Sequence, residues 1–431
     1  MCFLRGSLRI GRITLAVERL RALECVKCRS TYMVNAKLYS CSRCGGILEV
    51  FYNYDVIAES VTRRTLESKR DGVWKYFDLL PLERREAVIS LGEGGTQLIR
   101  SERLGEEYGL KNLYIKDETR NPTGSFKDRP NTVGISKALE FGADTVAIAS
   151  SGNAAASLSA YAAKAALNCM VAVPADIPLA KLAQIMVFGP KVVKVKGAYS
   201  NSFNLIRDAC REYGWHNLTS VSTANPYQSE GDKTVAYELC EQLGWNPPDW
   251  IAVPLGAGPL LVGAWKGFKE LYHLDIIRKL PRMIGVQAEG CSPIVKAFKE
   301  GGEEVTSWTN PRTIAHSIAD PLIGYSQDGT LTLNRIRESR GVAESVTDDE
   351  MIEAISILAK CEGVFAEPAA STSVAVVKKL KDAGMIAKDD CIVSLVTGTG
   401  LKSPESILTI IGEPNVIESD LAQLKMLLSI R

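Results

Sequence analysis

The sequence predicts an α/β protein built on parallel sheets. Strand-like and helical patterns alternate from Leu91 onward. Residues 145–149 and 169–173 are short apolar runs, and the alanine-rich segment between them has helical character. A strand, a helix and a second strand in this order form a parallel βαβ unit with a right-handed crossover. Polar loops follow several predicted strands, which is where open α/β sheets bind ligands.

Length and composition exclude several classes of protein. The chain has 431 residues, enough for two or three domains, with 46% apolar and 23% charged residues. The net charge of +1 argues against a broad electrostatic surface for nucleic acid or membrane. The sequence has no run of 18 apolar residues, so we expect no membrane span. Residues 1–21 have neither the apolar core nor the cleavage site of a secretory signal, and we interpret them as an extension.

Cysteines and histidines limit the chemistry. Seven of the 11 cysteines are scattered singly, and Cys169 and Cys391 lie at apolar positions. This pattern is typical of buried free thiols in a reducing compartment, so we expect the protein to be cytoplasmic. The three histidines lie outside any motif with an acid or a nucleophile, which disfavours a histidine-based triad or catalytic metal site.

Residues 22–50 form a separate unit with two close cysteine pairs. Cys25 and Cys28 are followed, after twelve intervening residues, by Cys41 and Cys44. Two such pairs fit a tetrahedral zinc site with four thiolate ligands, which leaves no open position for catalysis. The spacing therefore predicts a structural zinc ribbon, with a strand leaving it at residues 47–50. A pair of disulfides and a metal-free relic remain as alternatives.

The chain after the ribbon divides into a connector and a long α/β body. Residues 51–90 are mixed and charged, and we expect them to pack on the main body. The predicted strands are residues 113–116, 145–149, 169–173, 192–196, 250–254, 283–288 and 391–396. Helices are predicted at residues 154–167, 349–359 and 371–380, and the segment 420–430 is predicted to be a packing or dimer element.

The most informative stretch is residues 121–129 (NPTGSFKDR), which follows the first of these strands. It places Lys127 in a small polar turn where a helical pattern begins. Thr123 and Ser125 offer hydroxyls, Gly124 allows close approach of the backbone, and a helix N-terminus favours an anion. A lysine amine in such a site can form a Schiff base with a carbonyl cofactor, although a lone lysine on a helix is more often a surface residue.

Two further loops could hold an anion. Residues 150–153 (SSGN) precede a helix, so their amides could bind a carboxylate, and Asn153 could contact a ring hydroxyl. The alternative is that Asn153 simply caps that helix. Residues 256–260 (GAGPL) form a glycine-rich strand-to-helix loop that suits a phosphate, although such loops are common and Pro259 removes one donor.

A fourth loop follows the last predicted strand. Residues 397–402 (TGTGLK) place the Thr397 hydroxyl at the strand end, where it could bond a ring nitrogen. The alternative is a plain glycine turn followed by a surface lysine.

Together these motifs resemble threonine synthase, a branch of the fold-type II pyridoxal 5'-phosphate enzymes (tryptophan synthase beta-like). The resemblance covers residues 91–404 and adds the segments 116–118 (KDE), 225–227 (NPY) and 230–234 (EGDKT) to the loops above. The four-cysteine unit also resembles the ribbon of some microbial threonine synthases. The resemblance implies two doubly wound α/β domains with the cofactor between them, and a homodimer.

The resemblance also implies roles for matching positions. Lys127 would be the catalytic lysine that forms the Schiff base, and Thr397 would face the pyridine nitrogen. The other implied cofactor contacts are Asn153, Gly256, Ala257, Gly258 and Leu260. The implied substrate contacts are Ser151, Gly152 and Ala154 for the carboxylate and Asn225, with its neighbours, for the leaving phosphate.

The reaction implied is the conversion of O-phospho-L-homoserine and water to L-threonine and phosphate. The runner-up is a relative acting on another amino acid, either cysteate synthase, with O-phospho-L-serine and sulfite, or a threonine or serine ammonia-lyase. A non-catalytic protein, in which the ribbon binds a partner and the body senses a ligand, is the alternative from another class.

The sequence departs from the family pattern at several positions. Pro130 stands where glycine is common, and the phosphate loop contains Gly-Ala-Gly-Pro where an asparagine is usual. Gln228 replaces a frequent basic residue and Asp232 a common glutamine, both near the expected phosphate-binding region. We predict a large cofactor domain of residues 91–134 and 241–431, and a small α/β domain of residues 135–240.

Overall fold

The structure, a computed structural model, describes residues 19–150, 152–175, 177–197, 199–404, 408, 412 and 414–429. The predicted extension, residues 1–21, therefore lies outside the described residues up to residue 18. The strands are β1 (Leu20–Cys25), β2 (Thr31–Tyr32), β3 (Leu48–Tyr52), β4 (Leu98–Arg100), β5 (Asn112–Asp117), β6 (Thr145–Ala149), β7 (Asn168–Pro174), β8 (Lys191–Val195), β9 (His216–Asn217), β10 (Trp250–Pro254), β11 (Arg282–Ala288), β12 (Val342–Val346) and β13 (Cys391–Val396).

Helices alternate with these strands over most of the chain. They are α1 (Tyr54–Ala58), α2 (Arg63–Glu67), α3 (Glu102–Tyr108), α4 (Asp128–Glu140), α5 (Asn153–Lys164), α6 (Leu179–Met186), α7 (Tyr199–Tyr213), α8 (Thr234–Gln242), α9 (Pro259–His273), α10 (Pro293–Lys299), α11 (Ser326–Glu338), α12 (Asp348–Glu362), α13 (Pro368–Asp382) and α14 (Leu421–Ser429). Short 3₁₀ helices lie at Val73–Leu79, Arg85–Ala87, Glu118–Arg120, Gln228–Gly231 and Gly400–Lys402. In the described part of the chain, no helix has the length and apolar character needed to span a membrane.

The largest sheet has six strands in the order β12-β11-β10-β13-β5-β4. All its neighbouring pairs are parallel except β4 with β5. Every residue of β10 is buried, as expected for a central strand covered by helices on both faces. Because parallel strands end at the same edge, the loops after β5, β10 and β13 open on one side of this sheet.

A second sheet contains β8-β7-β6-β9, all parallel. It carries the predicted βαβ unit, with α5 as the crossover between β6 and β7. The seven predicted strands of the body are all present, with boundaries that differ by at most one residue at each end. Sequence patterns missed the short strands β4 and β9 and the edge strand β12.

The N-terminal unit is a three-stranded antiparallel sheet in the order β2-β1-β3. The predicted strand after the cysteine pairs is confirmed as β3. Cys25 ends β1, so one cysteine pair begins where this strand turns and the other lies in the loop before β3. The ribbon therefore rests on a small sheet of its own.

A buried ion network holds the start of α4 in place. Arg129 is fully buried and pairs with Glu118 and with Glu238 of α8, each at 2.7 Å. Lys116, at the end of β5, contacts the other oxygen of Glu238 at 2.8 Å. Since Arg129 lies two residues after Lys127, the network fixes the backbone that carries this lysine relative to the six-stranded sheet.

Candidate active site

The lysine turn is bonded directly to the loop after β13. The Phe126 amide donates to the Thr397 carbonyl at 3.0 Å, and the Thr399 amide donates to the Gly124 carbonyl at 3.0 Å. Gly124 has φ +79, and a Cβ there would lie 2.8 Å from the Thr399 methyl carbon. Glycine is therefore required by both backbone conformation and space. These bonds bring Lys127 and Thr397, 270 positions apart in the sequence, into one cleft.

The cleft has a volume of about 180 Å³ and lies between the six-stranded sheet and the four-stranded sheet. Its lining contains all but two of the residues that the sequence assigned to cofactor and substrate. These are Lys127, Gly152, Asn153, Ala154, Gly256, Ala257, Gly258, Leu260 and Thr397. Ser151 lies outside the described residues, and Asn225 lines a small adjoining pocket that Lys127 also borders.

Lys127 is half-buried, with its ammonium 4.5 Å from the centroid of the Phe126 ring. Burial lowers the pKa of Lys127, and the nearby Asp232 and Asp320 only partly oppose this effect. A lowered pKa raises the neutral fraction of the amine, which is the nucleophilic form.

Asn153 belongs to a polar chain that sequence analysis missed. Its side-chain amide donates to Glu367 at 2.7 Å, and the other Glu367 oxygen accepts from Ser317 at 3.2 Å. Lys181 of α6 donates to Ser317 at 3.3 Å, so the chain crosses the cleft. Asn153 makes no cap bond to α5, so the interpretation of Asn153 as a helix cap is wrong. Its carbonyl oxygen is buried without a partner and can bind a ligand.

The glycine loop ends where α9 begins. Gly258 is the N-terminal cap of α9 with φ +97, and Pro259 occupies the first helical position. A Cβ on Gly258 would lie 2.3 Å from the oxygen of the Thr332 hydroxyl, which donates to the Ala257 carbonyl at 2.7 Å. The first amides of a helix have no partner within the helix, so this loop can hold a phosphate.

Two buried carboxyl groups lie near Lys127. Burial raises the pKa of Asp232 to about 7, and one of its oxygens has no hydrogen-bond partner. Burial also raises the pKa of Asp320, although hydrogen bonds from Tyr325 (2.6 Å) and the Leu322 amide (3.0 Å) oppose that rise. Both acids retain their protons more readily than an exposed aspartate does.

Four residues of the cleft were not predicted from the sequence, namely Lys181, Ser317, Asp320 and Glu367. Only Glu367 carried a usable signal, because it directly precedes Pro368 at the start of a helical pattern. Asp320 and Ser317 lie in a segment without regular secondary structure between α10 and α11, where no periodicity points to a role.

The four cysteines form the predicted metal centre. Their sulfur atoms all lie within 4.8 Å of one another, and the pairs Cys25–Cys44 and Cys28–Cys41 are 3.5 Å apart. A disulfide requires about 2.05 Å, so the paired-disulfide alternative is wrong for this arrangement. Four thiolates around zinc, each at about 2.3 Å, would be separated by similar distances. The donor set therefore fits structural zinc.

Comparison with known proteins shows the family of this chain. The family model described as "Pyridoxal-phosphate dependent enzyme" matches residues 89–398. The chain belongs to this family. It is 43% identical to a threonine synthase from Methanocaldococcus jannaschii, an alignment that covers 94% of this chain and 98% of the relative. It is 42% identical to a threonine synthase from Methanosarcina acetivorans, over 93% and 96% of the two chains.

Solved structures show the same fold at lower sequence identity. An L-serine ammonia-lyase from Rhizomucor miehei has a TM-score of 0.62 and 22% identity, covering 73% of this chain and 97% of that one. Maize serine racemase has a TM-score of 0.61 and 20% identity, covering 78% and 92%. The fold is that of fold-type II pyridoxal-phosphate enzymes, and the protein is a pyridoxal-phosphate-dependent lyase related to threonine synthases.

The cleft fits the cofactor of this family. An amine with a lowered pKa, an unpaired buried amide oxygen and a helix N-terminus closed by Gly258 all border the same space. In pyridoxal 5'-phosphate, the amine would suit the aldehyde, the amide oxygen would suit the ring hydroxyl, and the helix N-terminus would suit the phosphate.

Proposed function

We propose that this protein is a threonine synthase that converts O-phospho-L-homoserine and water to L-threonine and phosphate. The observation that carries the proposal is that Lys127, Asn153, the glycine loop and Thr397 border one cleft in a chain related to threonine synthases. In the reaction, the bond between the γ-carbon and the phosphate oxygen breaks and phosphate leaves, and the γ-carbon gains a hydrogen to become a methyl group. The β-carbon loses one hydrogen and takes the hydroxyl from water, whose remaining proton goes to the phosphate.

Each part of the cofactor would be bound by particular residues of the cleft. Lys127 would bind the aldehyde carbon, Asn153 the ring oxygen, and the hydroxyl of Thr397 the ring nitrogen. The loop residues that would hold the phosphate are Gly256, Ala257, Gly258 and Leu260. When bound, pyridoxal phosphate withdraws electrons from the α-carbon of an attached amino acid. A neutral hydroxyl at the ring nitrogen suits elimination and replacement more than transamination.

Lys127 would also move protons. Lys127 borders the cleft, and its lowered pKa leaves more of its amine neutral, so that it could take a proton from carbon and return one at another carbon. The amides of Gly152 and Ala154, at the start of α5, would hold the substrate carboxylate, together with Ser151. Asn225 would position the turn that follows it, and that turn would face the leaving phosphate.

A second candidate follows from two residues near Asn225. Gln228 is buried and donates to Asn131 at 2.8 Å, and Asp232 is a buried acid. Neither supplies a positive charge for a phosphate. This favours a substrate without a phosphate, so the alternative that it supports is an ammonia-lyase acting on threonine or serine. Cysteate synthase remains the other alternative, although its substrate also carries a phosphate.

Phosphate release separates these candidates. The protein is incubated with O-phospho-L-homoserine, or with O-phospho-L-serine with and without sulfite, and the amino-acid products are analysed. Threonine formed in step with phosphate supports the proposal. Sulfite-dependent release from O-phospho-L-serine alone would replace it with cysteate synthase, and ammonia from threonine or serine would replace it with a lyase.

The proposal extends to organisation in the cell. We infer a cytoplasmic homodimer with a large cofactor domain (91–134 and 241–431) and a small domain (135–240), joined to the ribbon (22–50) by the connector (51–90). Closure of the small domain over substrate would exclude water until it is needed.

A further inference from the structure

The ribbon contacts the body of the protein through hydrogen bonds that end beside the active site. The Tyr39 hydroxyl lies 2.9 Å from His216 Nδ1, and the two rings meet edge to face with centroids 5.4 Å apart. His216 Nε2 lies 3.3 Å from Asn225 Nδ2. Tyr39 lies in the loop between β2 and β3, two residues before the zinc ligand Cys41.

The donor and the acceptor of each hydrogen bond between Tyr39, His216 and Asn225 follow from the bonds that Asn225 makes. Asn225 Oδ1 accepts from the backbone amides of Tyr227 (2.9 Å) and Gln228 (3.0 Å), which can only donate. The Asn225 amide nitrogen must therefore face the Asn217 carbonyl (2.9 Å) and His216 Nε2. Nε2 must then accept, so the neutral His216 ring carries its proton on Nδ1 and donates to Tyr39.

The neutral state of His216 agrees with its surroundings. Burial, together with the positive charges of Lys37 and Lys137, lowers the pKa of His216 to about 3. The residue is 2% exposed. A single tautomer therefore joins the ribbon to Asn225 throughout the physiological pH range.

Asn225 uses all of its polar atoms in this arrangement. Both of its amide hydrogens and its oxygen bond within the protein, and the residue is 1% exposed. Its side chain therefore orients the turn that contains Gln228. A ligand would contact that turn and not the Asn225 side chain. Gln228 then donates to Asn131 at 2.8 Å, and Asn131 donates to the Ala154 carbonyl at 3.2 Å. The bonds thus reach both the small pocket beside Lys127 and the loop assigned to the substrate carboxylate.

We propose that Tyr39 and His216 are positioning residues for substrate binding, and that the ribbon fixes the substrate-phosphate side of the active site through them. We call Tyr39, His216 and Asn225 the ribbon relay. The ribbon has a second anchor in the Tyr227 hydroxyl, which contacts the Val34 (3.0 Å) and Ala36 (2.7 Å) carbonyls and does not use the Tyr39 hydroxyl. Loss of the Tyr39 hydroxyl should therefore disturb the relay without detaching the ribbon.

The test is Tyr39→Phe in the zinc-containing, cofactor-bound enzyme. Because a buried donor on His216 loses its acceptor, we expect the KM for O-phospho-L-homoserine to rise about tenfold with little change in kcat. The ¹⁵N signals of the His216 ring should shift, and they can be assigned because the chain has only three histidines. Bound zinc and the visible absorbance of the cofactor should stay unchanged.

Matched variants separate positioning from packing. Tyr213→Phe removes a hydroxyl from an exposed tyrosine three residues before His216 and should change neither KM nor the His216 signals. His216→Gln keeps an acceptor for Asn225 and should retain more substrate affinity than His216→Phe. Equal losses in these two variants would overturn the relay, as would a Tyr39→Phe protein with unchanged KM and unchanged ¹⁵N signals.

The KM part of this test rests on the proposed function. If the native protein does not turn over O-phospho-L-homoserine, the proposed function fails. The relay is then decided by the His216 signals and by the cofactor absorbance change on titration with inorganic phosphate, compared between native protein and Tyr39→Phe.

Discussion

Lys127 differs from the surface lysines of this protein in its surroundings. Its side chain lies over a phenylalanine ring and near two buried acids, and burial lowers its pKa. An exposed lysine such as Lys111, paired with Asp389 at 2.6 Å, has no comparable setting. Burial of the Lys127 amine therefore distinguishes it chemically from the exposed lysines, because it lowers the pKa of that amine.

The change Lys127→Ala removes that amine. We expect loss of the visible absorbance of lysine-bound cofactor and a fall in turnover of at least about a thousandfold, because the residue both holds the cofactor and moves protons. Absorbance spectra and phosphate release measure the two effects. Lys111→Ala is the control, and retention of both properties in Lys127→Ala would refute the assignment.

Asp232 makes stability depend on pH. Burial raises its pKa from 3.8 to about 7, so the folded protein holds this proton more tightly than the unfolded chain does. Its contribution to stability is full below about pH 4 and is lost as the pH rises through 7. In Asp232→Asn, we expect the free energy of unfolding to fall less steeply between pH 4 and 8 than it does in the native protein. The difference between the two slopes should be up to about 1.4 kcal/mol per pH unit.

Urea unfolding at a series of pH values measures this slope. The exposed Asp275→Asn serves as the control and should behave as the native protein does. Parallel curves for Asp232→Asn and native protein would show that Asp232 titrates normally.

At the scale of an element, the loop before α9 depends on one glycine. Gly258 has φ +97, and a Cβ there would collide with Thr332. We expect Gly258→Ala to weaken cofactor binding at least about tenfold, because both strain and collision displace the amides that face the phosphate. Spectroscopic titration of cofactor-free protein with pyridoxal phosphate gives the affinity.

Gly301→Ala is a matched control for that experiment. Gly301 also has a positive φ, +70, but a Cβ at this position would meet no atom within 4 Å. It should lose some stability and no cofactor affinity. Equal affinities in Gly258→Ala and Gly301→Ala would show that the loop tolerates the collision.

The ribbon is a second element with its own test. We expect one zinc per native chain, and Cys25→Ser or Cys44→Ser should lose it, since both sulfurs belong to the four-thiolate cluster. Cofactor absorbance should persist, because the cluster lies outside the cleft. Metal analysis and absorbance measure the two properties. Cys169→Ser, at a buried single cysteine, is the control, and metal-free native protein would refute the zinc assignment.

At the scale of the whole molecule, buried charges tie the parts together. Arg129 connects Glu118, which follows β5, with Glu238 of α8. We expect Arg129→Met to destabilise the protein by about 3–5 kcal/mol, because two carboxylates stay buried without this partner. Arg278→Met, which removes an exposed pair with Asp275, should cost less than about 1 kcal/mol. Denaturant unfolding compares the two, and similar losses would contradict a structural role for the network.

Much of the architecture was predictable because its signals are local. The βαβ unit, the predicted body strands and the four-cysteine cluster were read from apolar runs and cysteine spacing, and the structure confirms them. The strands β4 and β9 have three and two residues and carry too little pattern to detect. The edge strand β12 contains Glu344 and Ser345, which interrupt the apolar run.

By itself, the sequence determined the class of chemistry. The lysine turn, the glycine loop and the cysteine pairs each depend on residue types at short spacing, so each can be recognised without a structure. Only the tertiary structure decided which distant groups meet. Glu367 bonds to Asn153 across 214 positions, and Tyr39 reaches His216 across 177. Such contacts arise when packed sheets and helices bring separate loops together. Local sequence patterns do not show which distant loops will meet, because they depend only on residues close together in the sequence.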